Sequence, residues 1–293
     1  MSMNVDVLGE VRDGVGESPF WDADASTVWS VDITGRRILA RRWPGGATSV
    51  WETGDLPTAI ARARSGGAVV SFARGVARWS PGTGTGEAMV RPESDGTMRL
   101  NEGACDPAGR FWASSMSDNL TSELEPREQG EPRGRLFRLE GSRAIPVEAP
   151  PLGIPNTMAW SPDGRRFFFG DSVRNVIWRC DFDADTGAIS GRRVFVEGGP
   201  GLPDGSCMDA EGHLWTARFG AGRILRYDPD GRVERELRLP LANPTDTTFG
   251  GPDLTTLFVT SARFGMGSPG DLDGASLAVE TDVRGQPESW YAG

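Results

Sequence analysis

Two carboxylates and two carboxamides, Glu17, Asp204, Asn101 and Asn156, stand at one position of a repeated sequence frame. All four are hard oxygen donors, and together they suit calcium, magnesium or manganese better than a soft-ligand metal. Any one of them has a structural reading as a hydrogen-bonded capping residue. Four at one repeat position are harder to explain that way. Buried carboxylates close together lose solvation and repel each other unless a cation or a proton compensates.

The frame has six ungapped copies, opened by Glu17, Thr58, Asn101, Asn156, Asp204 and Thr245, about 40 to 55 residues apart. Each opener is followed by a turn residue (Ala25, Gly66, Gly109, Gly164, Gly212 or Asp253) and then by an apolar strand such as Val28-Trp29-Ser30-Val31 or Phe167-Phe168-Phe169. Each copy therefore reads strand, turn, strand, and the spacing fits four-stranded blades rather than helical repeats. Radial blades hold equivalent residues at equal depth, so the openers should line one channel. The prediction is an all-β, six-bladed β-propeller with a central metal site, one domain over residues 1–293. Residues 5–11 should pair with the last blade and close the ring, which removes exposed sheet edges. Frequent Gly (40) and Pro (21) suit short strands and turns, and ten Trp with thirteen Phe suit packing between twisted sheets.

A net charge of -10 excludes a phosphate-binding face and hence nucleic acid. The chain has no lysine, so Schiff-base chemistry and a lysine-bearing phosphate loop are absent; Gly82-Thr83-Gly84-Thr85-Gly86 reads as a turn. The one histidine, His213, falls in a predicted surface hairpin, which removes Ser-His-Asp and Cys-His catalysis and a His-rich zinc site. Cys105, Cys180 and Cys207 have no C-x-x-C spacing and read as buried thiols in a reducing compartment. Met1-Ser2-Met3-Asn4 lacks a secretion-signal pattern, and no apolar run is long enough to span a bilayer, so a cytoplasmic protein without a membrane partner is expected.

In a blade, the loop after the second strand returns to the opener end. Residues 117–134 form such a loop in the third copy, far longer than a usual hairpin connection, and read as a lid or as a disordered acidic insertion. Residues 263–274 form a second. The same geometry predicts Met116, Asn119, Asp171, Arg218 and Arg263 near the mouth.

Several motifs, in this order and spacing, resemble the senescence marker protein (regucalcin), gluconolactonase and luciferin-regenerating enzyme family. They are Gly16-Glu17-Ser18-Pro19, Arg99-Leu100-Asn101-Glu102-Gly103, Asn156 before Met158-Ala159-Trp160-Ser161-Pro162-Asp163-Gly164, Pro203-Asp204-Gly205, Phe249-Gly250-Gly251-Pro252-Asp253 and Val259-Thr260-Ser261-Ala262-Arg263. The resemblance covers nearly the whole chain. It implies one divalent ion on Glu17, Asn156 and Asp204, calcium first, with zinc, manganese or magnesium as alternatives. It implies substrate contacts from Arg99 and Asn101; Glu102, next in the chain, and Asn119, placed by the mouth geometry, complete the expected substrate-binding set. Glu102 stands where the family more often has Asp, and Thr157 where Gly is frequent.

The expected activity is metal-assisted hydrolysis of a small-molecule sugar lactone of five or six carbons, with Asp204 as the base. The chain is expected to act as a monomer or weak dimer. Hydrolysis of a phosphotriester or phosphofluoridate and non-catalytic calcium binding by a regulatory protein need the same ligands and stay as alternatives. A protein-interaction platform would instead present an exposed aromatic patch.

Overall fold

The computed structural model describes residues 4–82 and 86–293; residues 1–3 and 83–85, within the predicted turn at 82–86, lie outside the described residues. The chain forms six four-stranded antiparallel sheets, each meandering outward in sequence order except the last, arranged as the blades of a β-propeller. The innermost strands are Gly16–Asp22, Pro57–Arg62, Met98–Cys105, Pro155–Trp160, Leu202–Met208 and Pro244–Gly250. Each contains one opener and packs beside the innermost strands on either side, the first against the last.

The ring is closed as the sequence predicts, over a shorter stretch. Val5–Val7 pairs antiparallel with Leu277–Glu280, Val5 opposite Val279. The amino terminus thus supplies the outer strand of the sixth blade. Aromatic residues fill the space between blades, as with Trp112, Trp160 and Phe167, whose rings lie 4.8–5.7 Å apart. No helix of the described residues is long and apolar enough to cross a membrane.

One feature of the inner strands is invisible in a period-two pattern. The ladder shifts register directly after the opener in every blade, between Glu17 and Phe20, Asn156 and Ala159, Pro203 and Ser206, and at the matching points of the other three. Such a bulge adds a residue to one strand and re-aims the side chains around it. At two of the bulges a non-glycine residue takes positive φ, Ser18 at 51° and Thr157 at 56°. The Thr157 hydroxyl donates to the Asp204 carbonyl at 2.6 Å. That bond holds the fourth blade to the fifth beside an opener.

The carboxy-terminal segment carries no copy of the repeat and crosses the far ends of the inner strands. The Gln286 amide bonds Met208, the Gly285 amide bonds Leu254, the Tyr291 amide bonds Arg62 and the Ala292 amide bonds Gly109. Trp290 sets its edge against Phe20 at 5.7 Å. This strap joins five blades on the side away from the openers. Truncation after Val283 should therefore lower stability by at least about 4 kcal/mol, given the lost hydrogen bonds and aromatic burial, or roughly 10 °C in Tm. Differential scanning calorimetry of the truncated chain checks this; an unchanged Tm would show that the strand from Val5 to Val7 latches the ring alone.

Candidate active site

Five of the six openers, Glu17, Asn101, Asn156, Asp204 and Thr245, line one cavity of about 160 Å³. The sixth, Thr58, is buried with its hydroxyl bonded to Ser71 at 3.0 Å. Arg99 and Asn119 line the same cavity. The propeller thus gathers openers that are up to 228 positions apart in the chain, Glu17 to Thr245.

Each polar group at the floor is held. Asn156 donates its amide to Ser172 Oγ at 2.9 Å, and Ser172 donates to the Pro203 carbonyl at 2.6 Å. This turns Asn156 Oδ1 inward, where Asn101 Nδ2 reaches it at 3.1 Å and also bonds the Pro155 carbonyl. Arg99 in turn donates to Asn101 Oδ1 at 2.8 Å and to Asn119 Oδ1 at 2.9 Å. Ser172 was not among the residues expected from sequence. Its signal is position, since it directly follows the second strand of the fourth blade, Arg166–Asp171, beside Asn156, whose backbone pairs with Gly170.

Burial dominates at the carboxylates, although Asp204 is bonded by Asn156 and by the Gly205 amide. Glu17 is pushed well above its usual range by burial and then by the charges of Asp204, Asp246 and Glu102. Asp204 is raised by burial and by Glu102. Burial holds the Arg99 guanidinium down to about 10. Two acids and the Asn156 carbonyl oxygen, facing one cavity without a salt bridge of their own, form a donor set that fits a hard divalent cation.

Glu102 does not join this cavity. The bulge after Asn101 sends its carboxyl to the strap side, where it lines a small cavity with Ser18, Ser206, Asp246 and Glu288. Glu102 and Glu288 are each raised to about 7, in both cases chiefly by burial. Glu288 accepts a bond from Thr248 at 2.9 Å and sits in the strap, away from the openers. A carboxyl with a raised folded-state pKa favours the folded state below its unfolded pKa and loses that contribution as pH rises through the folded value. Stability should therefore fall between about pH 4.5 and pH 7. Glu288→Gln should flatten the fall and stabilise the protein at pH 8 by about 1–3 kcal/mol. Urea unfolding at both pH values measures it, and a variant less stable than wild type at pH 8 would contradict it.

The mouth differs from expectation. Met116, Asp171 and Arg218 are buried, and neither they nor Arg263 line the cavity; of the five predicted mouth residues only Asn119 does. Polar members of this group anchor loops. Asp171 accepts the amides of Gly153 and Ile154 at 2.9 and 3.2 Å. Arg218 donates to the carbonyls of Pro200, Gly198 and Gly201, and Arg263 to the Asp273 carbonyl. The rim these loops present is mainly apolar: Val15 and Ile33 from the first blade with Thr34 beside them, Ile154, Leu202 and Phe219 from the fourth and fifth, and Leu120 and Phe264 from the two long loops.

The loop at 117–134 is ordered by internal bonds rather than an unstructured insertion. The Arg127 amide bonds the Asn119 carbonyl at 2.7 Å and the Thr121 amide bonds Glu125 at 2.9 Å. Gln129 ties the loop to the Gly153 carbonyl at 3.1 Å. It gives the cavity Asn119 and Leu120.

His213 lies in its hairpin, apart from the cavity, with ligand atoms near those of Asp209 and Glu211. That trio already has a structural purpose. Asp209 accepts from the Glu211 and His213 amides, Trp215 Nε1 and Arg226 Nε, and Arg226 also pairs with Glu211. The cation there is arginine.

With this geometry in hand, the family model described as the SMP-30/Gluconolactonase/LRE-like region matches residues 15–263. The chain belongs to the SMP-30/gluconolactonase/LRE-like family. Among relatives in this family, Gallus gallus regucalcin is 33% identical over 272 residues, covering 90% of this chain and 89% of that one. Pentonolactonase XacC of Haloferax volcanii is 32% identical, covering 94% and 93%. The crystal structure of a calcium-binding protein, regucalcin, from Agrobacterium tumefaciens superposes with a TM-score of 0.90 at 29% identity, covering 99% and 98%. The SMP-30-like chain thus has lactonases among its homologues over nearly its full length.

Proposed function

We propose that this chain is a metal-dependent lactonase that opens five- or six-membered lactones, sugar lactones among them. The observation that carries the reading is the floor of the cavity, where Glu17, Asp204 and the inward-turned Asn156 oxygen face Arg99 and Asn101. The pentonolactonase among the relatives supports the substrate class, and the calcium-binding relative supports calcium as the first metal to test. Zinc, manganese and magnesium follow. Three buried free thiols favour a reducing, cytoplasmic setting.

Glu17, Asn156 and Asp204 would hold the ion, with Asn101 next to them. A divalent cation there supplies Lewis acidity at the lactone carbonyl and makes a nearby water more acidic. Asp204 accepts the proton of the attacking water and returns it to the ring oxygen as the ring C–O bond breaks, leaving a hydroxy acid. Arg99 uses its Nε, Nη1 and one Nη2 proton to brace Asn119, Asn101 and the Leu100 carbonyl. The second Nη2 proton is available to orient substrate. The Ser172 hydroxyl is committed to the Pro203 carbonyl and neither Cys nor Lys lines the cavity, which favours direct attack by water over an acyl-enzyme.

A panel separates this reading from its alternatives. Metal-loaded protein should open lactones, leave phosphotriesters and phosphofluoridates at background and show no burst of product. Tight calcium binding without turnover of any lactone would favour a regulatory protein, and faster phosphotriester turnover would favour that hydrolase class.

A further inference from the structure

Resting on the lactonase reading, we infer that the preferred lactone carries an apolar substituent on the ring carbon remote from its carbonyl, in place of the hydroxylated tail of a sugar lactone. The cavity is polar at one end and apolar at the other. Its floor holds the ring and the reacting carbonyl, but the groups there are largely committed to one another: Asn101 to Pro155 and Asn156, Ser172 to Pro203, Thr245 to Gly16 and Thr260. Few donors or acceptors remain for several hydroxyls, and each hydroxyl that leaves water without a new partner weakens binding.

The rim supplies the opposite chemistry. Leu120, Ile154, Leu202, Phe219 and Phe264 surround the way out of the cavity, and Leu202 is 39% exposed. Ile154, Phe219 and Phe264 are half-buried and Leu120 is buried, and apolar side chains lining a concave site suit an apolar ligand. The rim is also a built feature. Buried Asp171 fixes the backbone of Ile154, buried Arg218 fixes the loop leading to Leu202, and Phe264 follows Arg263, which is bonded to Asp273. A substituent extending from the ring meets this rim before it meets water.

Each buried methylene is worth about fourfold in affinity, so a three-carbon alkyl tail, even partly covered, should outweigh a hydroxylated tail of the same length by at least tenfold. The test uses two non-hydrolysable five-membered lactams, identical except for an n-propyl or a dihydroxypropyl tail, titrated by calorimetry into metal-loaded full-length protein. The matched lactones are assayed for kcat/KM in parallel. The expected result is binding at least tenfold tighter for the propyl lactam, with the same order in kcat/KM. Leu202→Asn and Phe264→Ser, both at accessible positions, should each reduce the binding ratio at least threefold. A hydroxylated lactam that binds as well or better, or a ratio unmoved in both variants, overturns the inference. Lactones opened with the hydroxylated tail preferred would sink the apolar rim alone. The expected lactam ratio with neither lactone opened would leave the rim standing and sink the lactonase reading.

Discussion

Asp204→Asn should lower kcat for lactone opening by about 10³-fold or more, because the change removes a proton acceptor and an anionic metal contact at almost constant shape. The same substitution should stabilise the metal-free protein. Asp204 is raised well above the usual carboxyl range by burial and by Glu102, so at neutral pH its ionisation works against folding; Asn removes that contribution. A higher Tm without metal combined with a lower kcat is a pattern that simple misfolding does not produce. Metal occupancy measured in the same preparation separates loss of the base from loss of the ion. A kcat within a few fold of wild type at full occupancy would remove Asp204 from the chemistry.

Glu17→Gln should weaken metal affinity by about 10²-fold or more, since one of two anionic donors to a hard cation becomes neutral. Gln keeps an oxygen in nearly the same place, so excess metal should restore much of the activity. Burial and three neighbouring acids act on Glu17, and the wild-type protein should therefore gain the most stability from calcium at pH values where those acids are ionised. Titration calorimetry gives the affinity and an activity assay across metal concentrations gives the rescue. Unchanged affinity, or activity that no metal concentration restores, would mean that Glu17 does something other than ligate.

What the sequence revealed and what it hid have physical causes. Repetition made the openers legible, because six blades around one axis convert equal sequence positions into equal depths; Glu17, Asn101, Asn156 and Asp204 meet at the cavity for that reason. Glu102 was misdirected by one residue. A bulge is a property of strand register, and it sends Glu102 and Asp246 to the strap side while Asn101 and Thr245 face the opposite cavity. The mouth was placed from blade geometry, at the ends of the second strands, and four of the five residues so placed do not line the cavity. Asp171 and Arg218 instead spend their polarity on loop backbone, which leaves apolar neighbours to line the exit. The strap lay outside the repeat altogether. Its only trace in the sequence is the aromatic pair Trp290-Tyr291 beyond the last strand.

The central claim is that the catalytic ion sits on Glu17, Asn156 and Asp204, and anomalous diffraction from crystals of the manganese-loaded protein tests it most directly. One strong peak is expected in the cavity of about 160 Å³, bounded by those three side chains with Asn101 alongside. A peak at Asp209, Glu211 and His213 with no anomalous density between Glu17 and Asp204 would contradict it.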